Sequence, residues 1–146
     1  GETNFIIKKK ISSALEEGLI IIFCIGETLQ ERKKKNFFSV LKSQVKGSID
    51  KKHDLNRIIF AYEPVWSIGT GVIPEAQELK KTFCFIKDII KRIFKIKKSP
   101  RVLYGGSVNS KNIKLFSSIS EIDGFLIGGA SQSSKKFIDI IKNYYK

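Results

Sequence analysis

Four short runs of apolar residues recur along the chain, and within each run the apolar residues are consecutive instead of alternating with polar ones. Continuous runs of this length are typical of parallel strands buried on both faces. The predicted strands are Leu19 to Cys24, Ile58 to Tyr62, Arg101 to Tyr104 and Gly124 to Ile127. Each is followed by a loop containing Gly or Pro and then by a helical pattern, which indicates a series of βα units.

Five segments have the periodicity of amphipathic helices. They are Phe5 to Glu17, Thr28 to Val45, Pro74 to Ile93, Ser110 to Ser117 and Ser134 to Tyr145. Thr28 and Glu31 have capping-box spacing, and Asn109 is the predicted cap of the fourth helix. The inward face of the last helix is predicted to contain Phe137, Ile140, Ile141 and Tyr144. Five helices alternating with four strands predict an α/β fold, either half of an eight-fold barrel or a small open sheet.

The net charge suggests an anionic partner. Lys and Arg number 27 against 14 Asp and Glu, which leaves a formal charge of +13. Such a surplus suits a protein that binds nucleic acid or an anionic surface. The lysines are spread over helical faces and connectors such as 33–35 and 95–98, so we do not expect nucleic acid as the partner. A positive surface would still raise the encounter rate of a phosphorylated substrate.

Other features of the composition narrow the protein class. The 146 residues suffice for one domain, and no apolar run approaches the roughly 18 residues that would span a membrane. Cys24 and Cys84 lack CxxC spacing and a nearby histidine cluster, so neither zinc nor a disulfide framework is indicated and the cytoplasm is favoured. We expect Cys24 to act as a small buried apolar residue. His53, the only histidine, is expected at the surface, far from the candidate loops.

The loops after the predicted strands carry the candidate chemistry, because ligands of parallel α/β folds bind at the carboxyl ends of the strands. Several of these loops are rich in glycine, whose backbone N–H groups can converge on a phosphate. Gly105, Gly106 and Ser107 follow the third strand, and Gly128 and Gly129 follow the fourth. A single glycine pair could equally serve a tight turn. Two such loops on adjacent strands favour phosphate binding.

Glu63 ends the second predicted strand, where a carboxylate is costly to desolvate unless it is used. Catalysis is one explanation, and a buried ion pair or a helix-dipole partner is another. The loop that follows begins with Pro64, contains the bulky Trp66 and has glycines at its tip. These features predict a loop that closes as a lid.

The run AYEPVWSIGTG, residues 61–71, resembles the signature of the triosephosphate isomerase family. Three further runs are similar to that family's next segments, in the same order. They are IFCIGETLQER at 22–32, RVLYGGSV at 101–108 and EIDGFLIGGAS at 121–131. The resemblance covers essentially the whole chain. It implies strands five to eight of a TIM (β/α)₈ barrel, so residues 1–146 are expected to be the carboxy-terminal part of one barrel domain.

The resemblance also implies a reaction and its residues. Glu63 would move a proton between the two carbons flanking the carbonyl, interconverting dihydroxyacetone phosphate and D-glyceraldehyde 3-phosphate through an enediolate. The phosphate would be held by backbone N–H groups of Gly69, Ser107, Gly128 and Gly129. The lid would be Pro64, Val65, Trp66, Ser67, Ile68, Gly69, Thr70 and Gly71, supported by Tyr104 and Ser107. No metal or organic cofactor is implied, and the full-length enzyme is expected to be a homodimer of glycolysis and gluconeogenesis.

The chain also departs from the family. Ser67 for the usual Ala is a minor difference, whereas the short hinge after Gly71 is expected to alter lid kinetics. A full barrel has about 250 residues, and roughly the first 100 are expected to be absent, with the catalytic Lys and His and the main dimer loop. The alternatives are therefore a segment of a working isomerase, or an inactive fragment or split-gene product that needs its amino-terminal half. A different phosphate-binding barrel enzyme is a third alternative.

Overall fold

Helices and strands alternate along residues 1–145, the part of the chain that the computed structural model describes. The strands are β1 Ile21–Ile25, β2 Ile58–Tyr62 and β3 Val102–Tyr104. The helices are α1 Asn4–Glu16, α2 Leu29–Lys33, α3 Phe37–Ser48, α4 Ala76–Phe94, α5 Ile113–Ser117 and α6 Ser134–Tyr144. Two short 3₁₀ turns, Leu55–Arg57 and Gly129–Gln132, complete the regular structure.

The three strands form one parallel sheet in chain order. Its register aligns Ile25 with Tyr62 and Tyr62 with Tyr104, so the carboxyl ends of the strands lie side by side. The predicted fourth strand is reduced to one bridge between Tyr104 and Phe125. β3 has only three residues and offers few partners, so a regular ladder at 124–127 does not form.

The second predicted helix is two helices. Its start is as expected, because the Thr28 hydroxyl accepts from the Glu31 N–H at 3.3 Å and the Glu31 carboxylate accepts from the Thr28 N–H at 2.7 Å. Lys35 then adopts a left-handed φ of 57°, which ends α2. The chain becomes helical again at Phe37. The prediction of one helix through Val45 is therefore wrong.

Asn109 does not cap α5. Its side-chain oxygen accepts the N–H groups of Lys111 and Asn112, at 2.9 and 3.2 Å, and so forms a local turn. This turn delays the helix to Ile113, three residues later than predicted from Ser110.

The core lies between one face of the sheet and the helices. Phe60, Tyr62 and Tyr104 are fully buried there, and the Tyr62 ring packs edge-on against Phe83 at 5.9 Å between centroids. The predicted stripe of α4 is confirmed, since its buried residues include Leu79, Phe83, Ile86 and Ile90.

The opposite face of β1 is open within residues 1–145. Ile22 is 45% exposed and Cys24 is also exposed, whereas Phe23 and Ile25 are buried. Successive side chains of a strand point to opposite faces, so only alternate residues of β1 reach the helices. The prediction that Cys24 is buried is therefore wrong.

The predicted inward face of α6 is mostly exposed. Ile140 is buried, but Phe137, Ile141 and Tyr144 are 37%, 43% and 44% exposed. α6 packs mainly against α5 and the turn at 129–132, which cover only one side of it. The prediction holds for Ile140 alone.

His53 is half-buried and hydrogen-bonded, not a free surface residue. Its Nδ1 accepts the N–H of Asp50 at 3.1 Å, and its Nε2 lies 2.9 Å from the Ser12 hydroxyl. Because Nδ1 is an acceptor, we assign the ring proton to Nε2, which donates to Ser12. Burial lowers the pKa of His53, and the neighbouring Asp50 opposes this shift only partly.

We expect acid to weaken the fold through His53. The folded-state pKa of His53 lies below the ordinary value of 6.5. The stability that neutral His53 contributes is therefore fully present above pH 6.5 and is lost as the pH falls from 6.5 toward the folded-state pKa. The free energy of unfolding in urea should therefore decrease from about pH 7.5 to about pH 5, and His53→Gln should flatten this decrease. Equal pH dependence in the two proteins would contradict the assignment.

Candidate functional site

A cleft of about 540 Å³ opens at the carboxyl ends of the strands. It is lined from β2 by Glu63, from the loop after β3 by residues 105–111, and from the other side by Gly128 and Gly129. Ile68 and Gly69 reach it from the predicted lid. All five residues predicted to touch the substrate therefore line one cleft, namely Glu63, Gly69, Ser107, Gly128 and Gly129.

Glu63 reaches this cleft because Gly105, in the loop after β3, has no side chain. Its N–H continues the ladder of β2 by donating to Ile25 O at 2.8 Å, which fixes its backbone. A Cβ atom on Gly105 would lie 2.5 Å from Glu63 Oε1 and 2.6 Å from its Cγ. Glycine at 105 is therefore needed for the carboxylate to lie across the loop after β3.

Cys24 is a direct neighbour of the Glu63 carboxylate. Loss of solvent around the thiol, the negative charge of Glu63 and a hydrogen bond to it raise the pKa of Cys24 to about 12. The thiol therefore remains protonated at neutral pH. A protonated thiol is not an effective nucleophile, so Cys24 is not assigned that role.

Glu27 is the residue that sequence reasoning missed. It has no exposed surface, and its Oε1 accepts the indole N–H of Trp66 at 2.9 Å and the hydroxyl of Tyr62 at 3.1 Å. Burial, followed by the charge of Glu27, raises the pKa of Tyr62, so Tyr62 is a donor at neutral pH. Glu27 lies two residues beyond the end of β1, and its partners Tyr62 and Trp66 are far away along the chain, so no local pattern marked it.

Arg32 balances the charge of Glu27 and extends this network to α4. Its guanidinium lies 3.5 Å from Glu27 Oε1 and donates to Glu78 Oε2 at 2.7 Å. The same group stacks over the rings of Phe37 and Trp66, 4.2 and 5.7 Å from their centroids. Trp66, at the start of the lid, is thus connected to the helix that follows the lid.

The predicted lid, residues 64–71, is a compact loop that is held together by hydrogen bonds between its own residues. The N–H of Ser67 donates to Pro64 O at 2.8 Å, and the Thr70 hydroxyl lies 3.1 Å from Trp66 O and 3.2 Å from Ser67 O. Gly69 has a φ of 70°, a conformation suited to glycine. Pro64 and Ser67 are buried, whereas Val65 and residues 68–71 are exposed.

The lid contacts the loop after β3 through the hydroxyl of Ser67. This oxygen lies 2.6 Å from Val72 O, 3.4 Å from Tyr104 Oη and 3.3 Å from the backbone nitrogen of Ser107. Tyr104 and Ser107, both predicted to support the lid, therefore meet it at one atom. Ser67, treated as a minor difference in the sequence, is fully buried and has three partners.

Two lysines add positive charge to the cleft. Lys111 and Lys136 are among its lining residues, and sequence reasoning had grouped them with the other surface lysines. Lys136 lies in the first turn of α6, and that turn contains no acidic residue. A cation is disfavoured at this positive helix end unless an anion is nearby. A lysine at the start of a predicted helix was therefore the feature of the sequence that could have indicated an anion-binding role for Lys136.

Within residues 1–145, no cluster of three or more His, Cys, Asp or Glu side chains is arranged to hold a metal ion. Over the same residues, each helix is too short or too polar to cross a bilayer. The acidic side chain of the cleft is Glu63, and its other lining groups are glycines, small polar or apolar residues and the two lysines. The arrangement suits proton transfer on an anionic substrate.

Comparison with known proteins identifies the relatives of this chain. The family profile described as triosephosphate isomerase matches residues 1–144. Triosephosphate isomerase of Thermodesulfovibrio yellowstonii is 40% identical over 142 residues, and that of Dictyoglomus turgidum is 43% identical over 146. These alignments cover 97% of this chain but only 58% and 59% of the two relatives.

The fold comparison agrees. The crystal structure of triosephosphate isomerase from Bartonella henselae superposes with a TM-score of 0.83 at 34% identity, over 99% of this chain and 58% of that one. This confirms the prediction of an α/β fold that forms part of a TIM barrel. Residues 1–145 contain three regular strands and six helices, where four strands and five helices were predicted. The chain belongs to the triosephosphate isomerase family.

Proposed function

We propose that this chain forms the proton-transfer and phosphate-binding part of a triosephosphate isomerase, which interconverts dihydroxyacetone phosphate and D-glyceraldehyde 3-phosphate. The observation that supports this most is that Glu63 and the glycine loops line the same cleft. In this proposal residues 1–146 are the carboxy-terminal part of one barrel domain.

Glu63 acts as the base. Its carboxylate takes a proton from the carbon next to the substrate carbonyl, which leaves an enediolate, and returns the proton to the adjacent carbon. A second proton moves from the substrate hydroxyl oxygen to the former carbonyl oxygen, so substrate and product contain the same atoms and no further reactant is consumed. The backbone N–H groups of Gly69, Ser107, Gly128 and Gly129, here called the phosphate cradle, hold the phosphate at the other end of the substrate. The lid excludes water while the enediolate exists.

The second candidate is a chain that is inactive by itself. It spans 58% to 59% of the length of the relatives above, and the resemblance assigns the carbonyl-polarising groups to the part outside this chain. Loss of such electrostatic stabilisation lowers the rate by about 10² or more. The homodimer and the cytoplasmic location implied by the resemblance remain predictions.

We expect the 146-residue chain alone to show little isomerase activity in a coupled assay. Mixing it with the part of the Dictyoglomus turgidum relative that this chain does not cover should produce activity. Glu63→Gln should reduce that activity at least about 100-fold. Glu16→Gln, on α1, is the matched control. Turnover by the chain alone at the rate of a whole enzyme would contradict the second candidate, and full activity of Glu63→Gln would contradict the proposed base.

We expect the cleft lysines to contribute to phosphate binding. Lys111→Gln and Lys136→Gln should each weaken the binding of inorganic phosphate about two- to fivefold at low ionic strength, measured by calorimetry. Lys114→Gln and Lys142→Gln remove the same charge nearby but outside the cleft lining. Equal weakening by all four variants would indicate that only the net charge matters.

We expect the reactivity of Cys24 to report the charge of Glu63. Glu63→Gln removes the negative charge that contributes to the raised pKa of Cys24, so the thiolate should form at lower pH. Iodoacetamide labelling at alkaline pH in a Cys84→Ser background should therefore become faster, as followed by mass spectrometry. Glu121→Gln is the control, and an unchanged rate in Glu63→Gln would contradict the contact.

A further inference from the structure

The hydroxyl of Ser67 is fully buried between the lid and the loop after β3. Its shortest contact, 2.6 Å, is with Val72 O, which has no proton to donate. The Ser67 proton is therefore directed at this carbonyl, one residue beyond the lid. This bond connects the middle of the lid to the hinge where the lid ends.

The oxygen of the same hydroxyl accepts from two donors. Burial raises the pKa of Tyr104, so the Tyr104 phenol keeps its proton and can donate to Ser67 Oγ across 3.4 Å. The backbone N–H of Ser107 donates to Ser67 Oγ at 3.3 Å. One donated and two accepted bonds fill the capacity of a serine hydroxyl. The site has no room for a further partner without loss of an existing one.

The Ser107 N–H is also one of the groups proposed to hold the substrate phosphate. In this structure that N–H is engaged by the lid. A phosphate at Ser107 would therefore compete with the Ser67 oxygen for the same proton. An anion is the stronger acceptor, because hydrogen bonds to charged groups are stronger than those between neutral groups.

We infer that Ser67 is a positioning residue that latches the lid to the phosphate cradle through the Ser107 N–H, and that arrival of phosphate releases this latch. The inference rests on the proposed function of the cleft. The family usually has Ala here, which has no hydroxyl, so the latch is a property of chains with Ser at this position. Release at Ser107 would also free Ser67 to move with Val72, which links phosphate binding to motion at the hinge.

Amide exchange tests the latch without any ligand. In Ser67→Ala the Ser107 N–H loses its acceptor, so its hydrogen–deuterium exchange, followed by NMR, should become about fivefold faster. Thr70→Ala is the matched control, because within residues 1–145 the Thr70 hydroxyl bonds to Trp66 O, Ser67 O and the Val72 N–H and not to Ser107. It should leave exchange at Ser107 unchanged. Urea unfolding would establish that both variants are folded.

Phosphate titration tests release. Inorganic phosphate should bind Ser67→Ala about fivefold more tightly than wild type, because no bond to Ser107 must be broken first. Unchanged exchange at Ser107 in Ser67→Ala, or equal or weaker phosphate binding by that variant, would overturn the latch. Absence of phosphate binding in both proteins would instead refute the proposed phosphate site. The exchange measurement would still decide whether Ser67 engages Ser107.

Discussion

Burial of the Glu27 carboxylate is the constraint on which the geometry around the cleft depends. A carboxylate without exposed surface is tolerated only when donors and a countercharge surround it, and here Trp66, Tyr62 and Arg32 supply them. Each partner belongs to a different element. Satisfying one charge therefore fixes the entry of the lid, the end of β2 and the short helix α2 relative to one another, and through Glu78 also the start of α4.

A second constraint is steric. The carboxylate of Glu63 lies where a side chain on Gly105 would have to be, so the acid and the loop after β3 approach more closely than ordinary residues permit. The parallel register brings the ends of the strands together. The absence of a side chain on Gly105 then allows the Glu63 carboxylate to contact the backbone of the loop after β3. Cys24 neighbours the same carboxylate and stays neutral, because its pKa is raised, so it adds no second negative charge there. Packing and electrostatics thus both favour one position of the acid.

Much of the site could be predicted because loops after parallel strands meet at one edge of the sheet. This rule brought Glu63, Ser107 and Gly128 together from three separate segments. It could not identify Glu27, whose partners Tyr62 and Trp66 lie 35 and 39 positions away and are chosen by packing. Local patterns also failed at Lys35, because periodicity does not reveal a single left-handed residue. The apolar run of β1 does not by itself tell whether both faces of the strand are covered.

Trp66 is the single tryptophan of the chain, and it lies near the start of the predicted lid. Its indole donates to a buried carboxylate and lies beneath a guanidinium, two charges that act on the ring at short range. Indole emission depends strongly on such surroundings. The tryptophan fluorescence of this protein therefore originates within the predicted lid, so a closure of that loop would be visible by light without attaching any foreign dye.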